Sequence, residues 1–288
     1  MVASEYALYE DEELFELLFT MEDRLEKVAA LEIMGRRSLA SALAQVVMDK
    51  QNWLAELPEW WAVVHATYLL ARRGGSEAVL PLLTAMRWAD AFDCDWVTEL
   101  MPAMLGTLGS PAIAGLTAVA RDFTAGWSAR DLALKSLAAI SLHEPESTDH
   151  VFRIIGERFM DEGEDHLIRQ LSGQILLDFR RADYRLALSG FAREDLVPAG
   201  LDVYYPAGFG PEDVDWTFRN PVAETWHYQE DWMRFYEPSE VQRRQKRWLR
   251  ERLGAKRTPH EQLSEPGGGR VLPISRQGTS PEENEPEE

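Results

Sequence analysis

The sequence predicts an all-α fold, a right-handed stack of about five helical hairpins closed by an irregular aromatic-rich segment and a final basic helix. Three observations predict it. Apolar residues recur at helical spacing through most of the first 195 positions. Glycine- and serine-bearing breaks separate those stretches about every 34 to 36 residues. That interval is the length of a two-helix repeat.

At the N-terminus, Leu14, Phe15, Leu17, Leu18 and Phe19 mark one helix. Leu25, Val28, Leu31 and Ile33 mark a second, and after Gly35 the set Leu39, Leu43, Val46 and Val47 marks its partner. This hairpin is degenerate, as the terminal unit of a stack often is. The next unit carries Trp60, Val63, Val64, Thr67, Tyr68 and Ala71, breaks at Gly74-Gly75-Ser76, and continues with Val79, Leu80, Leu83 and Met86. Ser76 reads as a helix cap. A further unit runs as one helix from Trp96 to Leu108, stops at Gly109-Ser110-Pro111, and resumes through Ile113, Leu116 and Ala120. Serine followed by proline at a helix start is a cap signal.

The fourth unit begins at Trp127-Ser128, breaks at His143 to Thr148, and returns with Val151, Ile154, Ile155 and Phe159. The fifth spans Leu167 to Phe179 and Tyr184 to Phe191. Residues 199–221 are rich in proline, glycine and aromatic side chains, which predicts an extended but ordered segment lying on the stack. A short helix with Trp226, Trp232, Phe235 and Tyr236 should follow, then a last helix from Glu240 to Leu253 capped by Ser239. The domains are therefore 1–195 for the repeats, 196–254 for the aromatic segment and terminal helices packed on them, and 255–288 for an acidic tail with too little apolar surface to order.

The runs His65 to Ala71, Gly74-Gly75 and Ala78 to Leu83, with Ala103 to Gly106 and Gly109 to Ile113, resemble HEAT-type repeats. The stretch from about 20 to 195 is similar to bacterial HEAT-like proteins of unknown function. Some of those carry a C-terminal zinc-binding SEC-C segment, but the one cysteine here, Cys94, cannot supply it. The resemblance implies a fold and says almost nothing about activity.

Charge and motifs narrow the function. Net charge is −19, which argues against nucleic acid as a general partner. No run is apolar enough for a membrane span, and no leader pattern opens the chain, so a cytoplasmic protein without a membrane partner is expected. His143-Glu144 is the single His-Glu pair, too few for the metal centre of HEAT-like di-iron hydroxylases. The acidic turn Asp161 to His166 lacks calcium-loop spacing. No metal or cofactor is called for, and no nucleophile–base pair or phosphate loop is present.

In a HEAT-like stack the second helices line the concave face. Here they offer Arg87, Trp88, Arg121, Asp122, Arg153, Arg158, Glu157 and Arg185. The last helix offers Arg243, Arg244, Lys246, Arg247 and Arg250. The expectation is a non-enzymatic scaffold that holds another protein or peptide on its concave face. The alternative is a nucleic-acid-binding or base-modifying protein with an arginine-lined groove, like HEAT-like DNA glycosylases. Bilin lyases with HEAT-like repeats are a weaker enzyme analogy. The aromatic residues Trp216 to Tyr236 read as core that caps the last hairpin or folds into the groove.

Overall fold

The computed structural model describes residues 5–194 and 208–255, and among these residues every regular element is helical. The chain divides into two units, Met1–Val241 and Gln242–Glu288. The expected disorder of 255–288 lies almost wholly outside the described residues, as does the first part of the aromatic segment, up to 207.

In chain order the helices of the first unit are α1 (Asp11–Thr20), α2 (Lys27–Gly35), α3 (Leu39–Met48), α4 (Lys50–Trp53) and α5 (Trp61–Arg73). Next come α6 (Val79–Ala91), α7 (Asp95–Thr98), α8 (Met101–Gly106), α9 (Ser110–Ala120) and α10 (Trp127–His143). Then follow α11 (Thr148–Met160), α12 (His166–Asp178), α13 (Arg185–Glu194) and α14 (Pro211–Arg219). The last helix, α15 (Pro238–Ala255), begins in the first unit and supplies the described part of the second.

Two series of contacts order these helices. The helices α2, α5, α8, α10 and α12 pack each on the next, and so do α3, α6 and α9. Helix α10 is buried on nearly all sides, which explains why Leu132, Leu134, Leu137 and Ile140 show little amphipathic bias. It approaches α8 so closely that a Cβ on Gly106 would sit 2.7 Å from the Ala139 Cβ.

Three expectations are corrected. Trp96 to Leu108 is not one helix: it breaks at Leu100 into α7 and α8, where Pro102 lacks an amide donor for the preceding turn. Ser76 and Ser110 do not cap with their side chains. Instead the Ser110 amide donates to Glu144 Oε2 at 2.8 Å, a carboxylate supplied from the start of the next turn region. Gly109 before it has φ of 69°, a left-handed conformation that favours glycine, and a Cβ there would force the Glu144 carboxylate to shift. Finally, residues 211–219 are not extended. Gly210 and Pro211 start the nine-residue helix α14, and Asp213 accepts from the Gly210 amide at 2.7 Å.

The strap formed by residues 224–237 is core only in part: Trp226, 69% exposed, and Trp216 ahead of the strap, 52% exposed, are not the core expected of them. Tyr228, Trp232, Phe235 and Tyr236 are all buried. The turn Trp226–Tyr228 packs on α8 and α10, and the turn Trp232–Tyr236 on α5. Trp232 Nε1 donates to the Tyr68 carbonyl at 3.0 Å. His65 Nε2 donates to the Glu22 carbonyl at 2.7 Å, and its Nδ1 meets the Tyr236 hydroxyl at 3.0 Å. The strap therefore lies on the α5–α8–α10 series.

Candidate binding face

Arg87 and Trp88 sit on α6, Arg121 and Asp122 just after α9, and Arg153 and Arg158 on α11. The structure joins several of them. Arg87 Nη2 reaches Asp122 Oδ2 at 3.2 Å. Arg121 Nη2 donates to Glu157 Oε2 at 2.7 Å, and Arg153 Nη1 lies 3.9 Å from Glu157 Oε1. Arg153 also meets His150 Nδ1 at 2.8 Å. Hydrogen bonds from the Thr124 hydroxyl and amide, with Arg87 beside it, hold the Asp122 carboxyl below its ordinary value. These pairs are half exposed, so each adds little stability. Their effect is to leave the face near neutral and not cationic.

Trp88 and Arg158 are not brought to that face as free groups. Trp88 is half-buried, edge-on to Trp53 with ring centroids 6.2 Å apart. Arg158 turns into the α11–α12 connection and donates to Glu164 at 3.1 Å. Arg185 of α13 is exposed and lies over the Phe218 ring at 5.2 Å.

Around Glu164 lies a buried ion network that the sequence reading did not identify. Arg130 reaches Glu164 Oε2 at 2.5 Å and gives two further bonds to the Ala120 carbonyl at 3.1 and 3.0 Å. Its one visible signal was an arginine inside the apolar run of α10.

A second unforeseen group lies where the strap crosses α10 and α12. Asp178 Oδ2 accepts from the Tyr228 hydroxyl at 2.8 Å and lies 3.5 Å from His227 Nε2. The Asp178 carbonyl accepts from the Glu224 amide at 3.2 Å. Nearby Asp131 is buried, pairs with Lys135 at 2.6 Å, and leaves Oδ1 without a partner. Burial raises its carboxyl above the ordinary value; Lys135 opposes this, Asp178 adds to it, and His227 opposes it. Burial, with Asp178 beside it, also pushes the Tyr228 phenol well up.

A pH prediction follows from Asp131. A carboxyl raised on folding binds its proton more tightly in the folded chain than in the unfolded one. Its contribution is complete below the ordinary aspartate range of about 3.9 and is lost as pH rises through the folded value. Melting temperature minus that of Asp131→Asn should therefore fall with rising pH from about 4 upward. A difference independent of pH would contradict the assignment.

Beside Asp178, a cavity of about 290 Å³ opens between α12 and α14, lined by Leu177, Arg180, Trp216 and Thr217 among others. Arg180 has φ of 51° and spends its guanidinium on the Thr217 and Pro221 carbonyls at 3.2 and 2.8 Å. Its role there is to hold the end of α14. Among the described residues no group of three histidine, cysteine or acidic side chains could hold a metal ion. Cys94 is buried before α7, and burial pushes its thiol up to about 12. No helix among the described residues is long and apolar enough to cross a membrane.

In the second unit α15 places Arg243, Lys246, Arg247 and Arg250 at the surface and buries Arg244. The Arg247 guanidinium lies 4.6 Å from the Trp248 ring centroid.

No protein-family model, curated protein or solved structure matches the chain.

Proposed function

We propose that the chain is a right-handed α-solenoid of about five HEAT-like hairpins, and that it works as a non-enzymatic scaffold. In this reading it holds another protein or peptide on the face made by α6, α9 and α11. One observation carries it: polar contacts recur between residues 34 to 36 positions apart. Ser110 pairs with Glu144 and Arg130 with Glu164 at 34 residues, Arg87 with Asp122 at 35, and Arg121 with Glu157 at 36. Stacked repeats bring residue i to its counterpart one period later, unit after unit.

The position of the strap supports the choice of face. Its main contacts fall on α5, α8 and α10 and not on α6 or α9. There Leu80, Ala114, Ala118 and Met160 are exposed among the paired charges. Mixed apolar and neutralised polar surface suits a protein partner. It suits phosphate poorly, because Arg87 and Arg121 already face carboxylates.

The test is cross-linking of the full chain in its native cell extract, compared with an Ala114→Glu, Ala118→Glu variant. Both positions are exposed on α9, so the variant should keep its melting temperature. Partners captured through the face should disappear from the variant. An identical set of cross-linked proteins would remove the assignment of this face.

A further inference from the structure

The outer side of α2 is apolar where a surface helix is normally polar. Ala29, Ala30 and Ile33 of α2 face the core, as the helical pattern requires. Val28 and Leu31, one turn apart, point away from it and are 49% and 42% exposed. The turn Glu5–Leu8 packs beside α2, with Tyr6 bonded to Glu26. Arg36 Nη2 donates to the Ala7 and Tyr9 carbonyls at 3.3 and 3.2 Å. This arrangement sets Leu8, 87% exposed, next to α2. Leu8, Val28 and Leu31 are thus exposed apolar side chains on two elements packed side by side, and no described residue covers them.

The surface around these three side chains is acidic. Residues 5–36 hold ten carboxylates and three cations. Each cation is engaged: Arg24 with Glu22 at 3.1 Å, Lys27 with Glu237, and Arg36 with Asp11 at 3.0 Å and Glu32 at 2.9 Å. Glu5 and Glu26, both exposed beside the apolar side chains, have no cation partner among the described residues. A second copy of this chain would bring the same carboxylates face to face, and like charges across an interface are costly. Polyanions are disfavoured for the same reason.

We propose that this N-terminal face docks a basic amphipathic helix of a partner protein. Apolar side chains at i, i+3 and i+4 of such a helix would cover Leu8, Val28 and Leu31. Flanking lysines or arginines would meet Glu5 and Glu26. This surface is separate from the α6–α9 face, so either assignment can fail without the other.

The probe is a fluorescent helical peptide of leucine and lysine with one apolar face, titrated into the full-length protein and followed by anisotropy. Binding should weaken at least about tenfold with Val28→Ser, Leu31→Ser, and also with Glu5→Lys or on raising salt until charges are screened. A scrambled peptide of equal charge should bind at least about tenfold more weakly than the amphipathic one. All three substituted side chains are exposed, and unchanged circular dichroism confirms folding. Equal binding of both peptides, or no effect of Val28→Ser, Leu31→Ser, means general charge attraction and overturns the proposal. So does failure to bind. Sedimentation of the protein alone gives the last arm: a dimer abolished by Val28→Ser, Leu31→Ser places a second copy on this face and overturns it too.

Discussion

Replacing Glu164 by alanine is expected to destabilise the first unit by about 3–5 kcal/mol, the usual cost of stranding a buried charge. Two guanidinium groups depend on this carboxylate. Among the described residues, Arg130, 3% exposed, has Glu164 as its one counter-charge and the Ala120 carbonyl as a further acceptor. Arg158 would retain only Asp161, 3.5 Å away, and its Nε already lacks a partner. The network ties the end of α9, the start of α10 and the α11–α12 connection together, so its loss should loosen these helices at once. Urea unfolding measures the change, and a loss below about 1 kcal/mol would contradict it. Replacing both partners, Arg130→Met with Glu164→Leu, should cost much less, because no uncompensated charge is left between them.

Acid should weaken the same lock. Burial raises the Glu164 carboxyl, but hydrogen bonds from Arg130, the Asp165 amide and Arg158 outweigh it, and the carboxyl is held below its ordinary value. Its contribution is therefore present above the unfolded glutamate range of about 4.3 and is lost as pH falls through the folded value. This slope is opposite to that of Asp131.

Phe235→Ala should cost about 3–5 kcal/mol and free the strap from the helices beneath it. The ring lies 6.0 Å from Trp61, 5.8 Å from His65, 5.4 Å from Tyr68 and 5.8 Å from Trp96, centroid to centroid. Aromatic truncation here removes contact with two helices and the strap together. Hydrogen exchange of the amides in residues 226–236 reads the release directly. Exchange in those amides should rise more than exchange in α10. Phe235→Leu should keep most of the protection, because volume is largely conserved. A uniform rise across the whole unit would show that the strap and helices unfold as one and not in steps.

Several elements were legible from local pattern. The buried face of α3, the break at Gly74-Gly75 and the stop at Gly109 follow from helical spacing and from glycine at positive φ. The period of 34 to 36 residues, read from the breaks, returns as the offset of four polar contacts. Where local rules compete, the reading was coarser. Pro102 and Leu100 divide the expected 96–108 helix, and Pro211 begins a helix in a stretch whose prolines and glycines argued for extension. Periodicity also could not separate the two sides of α2, since Val28 and Leu31 satisfy a helical pattern as well as Ile33 does.

By itself, then, the sequence determined that the chain folds as helices, roughly where each begins and ends, and that its surface is strongly acidic. These depend on backbone preference, apolar spacing and composition, all of which act over a few residues or over the whole chain. The pairing of Arg121 with Glu157, 36 residues on, follows the interval between the breaks and was legible in the sequence. Tertiary structure alone decided the pairing of Tyr228 with Asp178, 50 residues apart, because no local rule joins them. It also decided that the strap packs mainly on α5, α8 and α10 and not on α6 or α9, because that choice depends on where buried aromatic rings find matching surface after the helices have packed.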